Sequence, residues 1–311
     1  MKINSILFSF IFCFFVFPSC DGSKIISKEI DTPTTGKISV AVDENVRSLA
    51  DALIDAFESS YPAAFLIESY SPEKNVVQEL YNDSSRLAIM TRRLSVKEAL
   101  FFEAQKYIVE QLKIGSDAVV FLVNKNNPDT TFTISQIRKI ISGEDSLWSQ
   151  IRAESKLGRI NIVFDNESSS NLRYLADTLL GGGAVGKNCF ALSTNDSVVK
   201  YVAASKNTIG VVGLNWVGDK DSEEDVARRE KITFCAVGKS ESELFLPNQS
   251  NIATGNYPFS RGVWLIKIGK RAGLGTGFAS FSFGERGQLI VQRSGLVPAK
   301  PAERKVKITI K

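Results

Sequence analysis

Residues 38–57, which read ISVAVDENVRSLADALIDAF, decide the fold of this chain. Residues 38–42 are a short apolar run of the kind that forms a buried strand. The apolar residues that follow recur at helical spacing and define one face of a helix; they are Val46, Leu49, Ala50, Leu53, Ile54 and Phe57. This alternation of apolar run and amphipathic stretch continues to about residue 215. The pattern predicts an α/β protein.

Further predicted strands lie in the middle of the chain and towards its C-terminal end. Residues 107–112 and 118–123 are predicted to be two separate strands, and residues 262–268 a further strong strand. Residues 219–231 are dense in charge and are predicted to be a solvated excursion. We therefore expect a mostly regular domain with one polar insertion.

Helix starts and ends are marked by particular residues. Ser95 with Glu98, and Thr133 with Gln136, have the spacing of a capping box, in which two side chains satisfy free N–H groups at a helix start. Gly181 begins a run of three glycines after an apolar helical stretch and is predicted to end that helix. These signals fix three helix boundaries.

The composition excludes several kinds of chemistry. The chain of 311 residues has 38 Lys plus Arg, 34 Asp plus Glu and no His, for a net charge of +4. Without imidazole there is no Ser-His-Asp triad, no Cys-His pair and no His-ligated metal. An enzyme would need carboxylates or a Ser-Lys pair, and no spacing singles one out. We expect no catalytic residue, no metal and no cofactor, and, because basic residues are interspersed with acids, no nucleic-acid partner.

The N-terminus has the features of an export signal. Lys2 precedes an apolar run at residues 6–17 that is too short to span a bilayer, followed by Pro18, Ser19 and Cys20. We interpret residues 1–19 as a signal peptide and Cys20 as a lipidation site, followed by a flexible tether over residues 20–37. Cleavage at another bond, with Cys20 as an ordinary thiol, is the alternative. In an exported protein Cys189 and Cys235 could pair, although the apolar surroundings of Cys235 favour a buried free thiol.

Four segments resemble, in this order, the phosphate-binding components of ABC transporters. They are residues 137–148 (IRKIISGEDSLW), 208–213 (TIGVVG), 257–261 (YPFSR) and 287–298 (GQLIVQRSGLVP). The resemblance implies a two-lobed type II periplasmic-binding-protein fold with crossover hinge strands. It also implies the lobe boundaries: a first lobe of residues 38–119 plus 262–311, and a second lobe of residues 120–261.

The function implied by the resemblance is binding rather than catalysis. We expect an extracytoplasmic lipoprotein that binds phosphate or a similar oxyanion between its lobes for uptake by an ABC-transporter permease, held to the membrane of the cell envelope by its lipid. The alternative is a binding-protein-like envelope scaffold or sensor that has lost phosphate binding or takes another solute. An enzyme is the third hypothesis.

Candidate ligand residues follow the predicted strands of the first lobe. The resemblance places Asp43 and Glu44 after the first strand, Ser71 after the second, and Thr91 and Arg92 after the third, where the family meets its ligand. Each also has an ordinary structural explanation. The acids and Ser71 could cap helices, and Arg92 could form a surface or lobe-bridging ion pair.

A third set of candidates lies at residues 165–171, which read DNESSSN. The family carries Arg-x-x-Gly-Ser-Gly-Thr here, and this chain keeps hydroxyls at Ser168, Ser169 and Ser170 but has Phe164 or Asp165 in place of the Arg. A helix start rich in hydroxyls can bind an anion through N–H groups and the helix dipole. Such a run can equally be a helix cap.

Overall fold

A computed structural model describes residues 31–219, 223–269 and 272–300, apart from the side chain of residue 224. Asp31–Lys311 form one compact unit. The predicted signal peptide, Cys20 and residues 20–30 of the predicted tether lie outside the described residues. In the described ranges, no helix is both long enough and apolar enough to cross a bilayer.

The described residues alternate between strands and helices, as predicted. The strands are β1 (Gly36–Asp43), β2 (Ala64–Ser71), β3 (Leu87–Met90), β4 (Ile108–Asn124), β5 (Thr131–Thr133), β6 (Asn161–Phe164), β7 (Cys189–Ala191), β8 (Thr208–Gly213), β9 (Ile232–Phe234), β10 (Ala236–Ser240), β11 (Glu243–Phe245), β12 (Ser260–Gly269) and β13 (Val297–Pro298). The helices are α1 (Arg47–Ser60), α2 (Glu73–Tyr81), α3 (Val96–Ala104), α4 (Ile134–Ser142), α5 (Trp148–Ile151), α6 (Ser170–Leu180), α7 (Asn195–Ala204), α8 (Glu223–Arg229), α9 (Gln249–Ala253), α10 (Leu274–Phe283) and α11 (Glu285–Arg293). The predicted α/β class is confirmed.

The main sheet has the strand order β2-β1-β3-β12-β4-β8-β6-β7. The strands β1, β2 and β3 run parallel, as do β6, β7 and β8, and β12 runs antiparallel to both β3 and β4. β12 and β4 therefore lie between two parallel groups and connect them.

β4 is one continuous strand of 17 residues, so the prediction of two strands was wrong. Its first part, residues 108–118, pairs with β12, and residues 119–123 pair with β8. The polar stretch around Asp117 lies between the two predicted strands. It stays in the strand because Asp117 pairs with Arg261 on β12, and Ser116 pairs with Val297 of β13.

The helix boundaries follow local chemistry. Both predicted capping boxes are present, at Ser95 before α3 and at Thr133 before α4. Gly181 ends α6 with a positive φ of 60°, a left-handed conformation that glycine adopts without a steric penalty. The predicted solvated excursion is wrong in part, because α8 forms there and buries Asp225 against Arg228 at 2.8 Å.

The two cysteines of the described part are free thiols. Cys235 is fully buried between β9 and β10, which confirms the prediction for it, and Cys189 is half-buried at the start of β7. Burial raises the pKa of the Cys189 thiol to about 12. Neither thiol is a reactive group at neutral pH.

Strand ends bring the candidate residues together. β1, β3 and β6 end just before or at Asp43, Thr91 and Asp165. In open α/β sheets, ligands bind in the crevice outside the carboxyl ends of parallel strands, where the strand order reverses. The sheet therefore positions residues from both predicted lobes around one crevice.

Candidate functional site

A buried polar cluster fills the inner part of this crevice. We call it the floor; it consists of Asp43, Asn45, Thr91, Asp117, Asp165, Ser169, Ser170, Asn171, Asn215 and Arg261, all of them buried. It contains three carboxylates and one guanidinium group. Because buried charges are costly without partners, the hydrogen bonds of this cluster determine what it can do.

Asp165 is fully buried and is surrounded by hydrogen-bond donors of the chain itself. Its carboxylate accepts from the side-chain amides of Asn45 at 3.2 Å, Asn166 at 2.7 Å and Asn171 at 3.4 Å. The Ser169 hydroxyl donates a further short bond. Burial raises the pKa of Asp165, and the bonds from Ser169 and Asn45 oppose this. The position where the resemblance expects a guanidinium thus holds a carboxylate that is already hydrogen-bonded.

Ser169 caps the start of α6. Its hydroxyl oxygen accepts from the backbone N–H groups of Asn171 at 3.1 Å and Leu172 at 3.4 Å. The N–H of Ser168 in turn donates to the Asn166 side chain at 2.9 Å. These donors of the helix start are satisfied within the chain. The capping alternative therefore describes Ser169, whereas the Ser168 side chain is exposed.

Arg261 and Asp117 form a buried ion pair across β12 and β4. The guanidinium Nη2 and Nε lie 2.9 and 3.1 Å from Asp117 Oδ2, and the side chains are 2% and 0% exposed. Arg261 Nη1 also lies 3.4 Å from Ser170 Oγ. Burial raises the pKa of Asp117, and Arg261 counteracts the increase. The pair therefore joins β4 to β12, the two strands that lie between the parallel groups of the sheet.

Asp43 is the other buried carboxylate of the floor. It accepts from the Asn45 N–H at 3.1 Å, which makes it the cap of a short 3₁₀ turn, Glu44–Val46. Its Oδ2 lies 3.2 Å from Thr91 Oγ1. Burial, and then the charge of Glu73, raise the pKa of Asp43 to about 6 although Arg261 lowers it. Asp43 is thus a cap, as one interpretation of the sequence had it, and it is also part of the floor.

Two predicted ligand residues lie beside the floor. Glu44 is half-buried, and its backbone carbonyl accepts from the Trp216 indole N–H at 3.2 Å. Ser71 donates to Glu79 at 3.2 Å. Neither lines the cavity described next.

A cavity of about 560 Å³ opens above the floor, and we call it the mouth. It lies between α2, from the predicted first lobe, and α6, from the predicted second lobe. The residues that line it are Glu73, Lys74, Val77, Gln78, Tyr81, Arg92, Glu98, Glu167, Ser168, Ser169, Leu172 and Arg173. Three predicted ligand residues, Arg92, Ser168 and Ser169, are among them.

Glu73 is the centre of an ion-pair network in the mouth. Its carboxylate is bound by Arg92 Nε at 2.7 Å and by Arg173 through two bonds, of 2.8 and 3.1 Å. Arg92 also binds Glu98 at 2.7 Å. Since Glu73, Arg92 and Glu98 all belong to the predicted first lobe, the ion pairs of Arg92 do not connect the two predicted lobes, whereas the pair of Arg173 with Glu73 does.

Several site residues were missed by the sequence analysis. Arg173 lies one helical turn after Ser169, so the candidate helix start could have indicated it. Glu73 and Asn45 lie two positions after the ends of β2 and β1 but have no distinctive pattern. Asp117 gave no signal because its partner Arg261 is 144 positions away. In the described residues, no group of three or more acids or cysteines is arranged to hold a metal ion.

Residues of both predicted lobes thus contribute to one crevice, and a family model described as a PBP superfamily domain matches residues 27–286. The chain belongs to this superfamily. SphX of Synechococcus elongatus is 23% identical over 197 residues, which cover 60% of this chain and 55% of SphX. The phosphate-binding protein PstS of Borreliella burgdorferi is 22% identical over 232 residues, covering 72% of this chain and 76% of that protein.

A solved structure shows the same fold. An ABC-type phosphate transport receptor from Vibrio cholerae superposes with a TM-score of 0.64 at 17% identity, covering 85% of this chain and 100% of that one. At this identity the likeness is one of fold. Together with the family match, it confirms the predicted two-lobed type II periplasmic-binding-protein fold.

Proposed function

We propose that this protein is an extracytoplasmic solute-binding protein that takes phosphate or a similar oxyanion between its two lobes for uptake by an ABC transporter. Residues 38–119 with 262–311 would form one lobe and residues 120–261 the other. Cys20 would carry the lipid that holds the protein in the cell envelope, where a permease is its partner. The names of the relatives support phosphate as the solute, and the N-terminal sequence supports export and lipidation at Cys20.

The observation that carries the proposal is the composition of the mouth. Arg92, which follows β3, and Arg173, on α6, both line it, and the exposed side chains of Lys74 and Ser168 lie beside them. Guanidinium groups offer paired N–H donors that match an oxyanion, and an ammonium group adds charge. A ligand that touches both arginines would favour the closed arrangement of the lobes, because each lobe then gains a contact.

Within this proposal the predicted ligand residues have different roles. Arg92 and Ser168 would contact the oxyanion directly, together with Arg173 and Lys74. Asp43, Thr91 and Ser170 lie behind them in the floor, and Ser169 holds the helix start in place. Glu44 and Ser71 would have no direct role.

Calorimetric titration of residues 23–311, which contain the whole compact unit, tests the proposal. We expect one phosphate per chain with a Kd of about 1 μM, or roughly 8 kcal/mol, with sulfate and a phosphonate titrated alongside. Arg92→Met should weaken binding at least tenfold. Arg86→Met, which removes an exposed arginine paired with Asp83, is the matched control. No heat from any of the three anions at millimolar concentration would refute oxyanion transport and leave the scaffold or sensor hypothesis.

A further inference from the structure

The anion-binding groups of the mouth already hold an anion that belongs to the chain. The Glu73 carboxylate lies between Arg92 and Arg173 and is only 3% exposed. Its contact with Arg173 is bidentate, with two roughly parallel N–H···O bonds. This is the geometry in which guanidinium groups bind carboxylates and phosphates alike.

We propose that Glu73 is an internal competitor for the oxyanion. Its carboxylate occupies the anion site between Arg92 and Arg173, which we call the two-arginine seat, and must be displaced before an oxyanion can bind there. The inference rests on the proposed function and extends it by naming the residue that sets the affinity of the site.

The charge balance of the mouth supports a competitive role. Its charged lining residues are three acids, Glu73, Glu98 and Glu167, and three cations, Lys74, Arg92 and Arg173. With Glu73 in place, an arriving anion meets no net positive charge and lies next to a carboxylate. Like charges at such short separation repel, so the anion and the Glu73 carboxylate cannot share the seat without loss of affinity.

The Glu73 carboxylate also has a hydrogen-bond partner besides the two arginines. Thr91 Oγ1 lies 3.3 Å from Glu73 Oε2, on the side of the floor. When an oxyanion takes over Arg173, the Glu73 side chain can keep this contact and remain hydrogen-bonded. Displacement therefore costs the bonds to Arg173 but leaves the carboxylate with the hydrogen bond from Thr91 that it already accepts.

Glu73→Gln is the direct test, because it removes the charge and keeps the shape. We expect calorimetry to show at least a tenfold gain in phosphate affinity over wild type. Glu167→Gln is the matched control: it removes the same charge from the same cavity, but Glu167 takes no part in the contacts of Arg92 and Arg173 with Glu73. Its gain should stay below about threefold. In the double variant Glu73→Gln/Arg173→Met the gain should disappear.

The outcomes separate this inference from the proposed function. If wild type binds phosphate and Glu73→Gln binds equally or more weakly, Glu73 is a lobe-closing contact and the inference is wrong, while the proposed function stands. If only Glu73→Gln binds, the seat is real but wild type is not a phosphate receptor. If neither binds, both the inference and the proposed function are wrong.

Circular dichroism verifies that Glu73→Gln folds. If it does not fold, Glu73→Asp is the second variant, because its shorter side chain reaches one arginine less well. Glu73→Asp should bind phosphate at least threefold more tightly than wild type, and no gain would refute the inference.

Discussion

The floor and the mouth are built from the same residue types but differ in exposure. In the floor, Asp117 and Arg261 are 0% and 2% exposed in their side chains and bind each other. In the mouth, the side chains of Arg92 and Arg173 are 25% and 34% exposed. Arg261 in the floor cannot exchange its partner for water, whereas Arg92 and Arg173 in the mouth can.

This difference assigns separate roles to the two regions. The floor is a structural contact between the two predicted lobes. Its carboxylates are bound by amides, hydroxyls and one arginine, and these groups come from both predicted lobes. The mouth has ion pairs whose partners a solute could replace. Substitutions in the floor should therefore change stability, and substitutions in the mouth should change binding.

The largest effect is expected for Arg261→Met in the floor. It leaves the fully buried Asp117 without its cation, and breaking a buried pair in this way costs about 3–5 kcal/mol of unfolding free energy. Urea unfolding followed by circular dichroism measures the loss. Arg86→Met breaks the exposed pair with Asp83 and should cost no more than about 1 kcal/mol. Equal losses of unfolding free energy in Arg261→Met and Arg86→Met would contradict a structural role for the floor.

A smaller effect is expected from the ionisation of Asp43, which makes the unfolding free energy depend on pH. Its pKa is raised from 3.8 to about 6, so between these values the native protein holds a proton that the unfolded chain has released. The unfolding free energy therefore decreases as the pH rises through this range, by up to about 3 kcal/mol from this group. Asn at this position has no proton to lose. The stability of wild type relative to Asp43→Asn should decrease from pH 4 to pH 6.

Asp83 provides a control of opposite sign for this measurement. Its bond to Arg86 lowers the pKa of Asp83, so its contribution is lost as the pH falls. Wild type relative to Asp83→Asn should therefore gain stability as the pH rises. A flat difference between wild type and Asp43→Asn over pH 4–6 would contradict the assignment of Asp43 to the buried floor.

The smallest effect is the difference in stability loss between Ser169→Ala and Ser168→Ala. These two adjacent serines lie at the boundary of floor and mouth. Ser169→Ala removes the cap of α6 and should cost about 1–2 kcal/mol of unfolding free energy. Ser168→Ala changes an exposed side chain and should stay within about 0.5 kcal/mol, while lowering phosphate affinity about two- to fivefold. Urea unfolding and calorimetry of both variants check this. Equal stability losses would argue against the boundary between the two regions.

Much of the local structure could be predicted from particular residues. The spacing of Leu49, Leu53 and Phe57 predicted α1 and its buried face. Ser95 and Thr133 predicted two helix starts because a capping box depends on residues only three positions apart. The sequence also placed Asp43 and Thr91 at strand ends, and the structure brings both to the crevice. Where prediction failed, as in β4, a distant partner kept a polar stretch in a strand.

The pairing of charges in the site was decided by tertiary structure. Glu73 and Arg173 are 100 positions apart, and Asn45 and Asp165 are 120 apart. Periodicity reports which face of an element is buried, but not which residue of another element lies opposite. Hence the sequence determined the α/β class, the superfamily resemblance and the helix caps, all of which depend on local order. The contacts of Glu73 with two arginines and of Asp165 with amides depend on the tertiary structure. A buried charge needs a partner, and the packing of the sheet and helices decides which distant residues lie close enough to bind it.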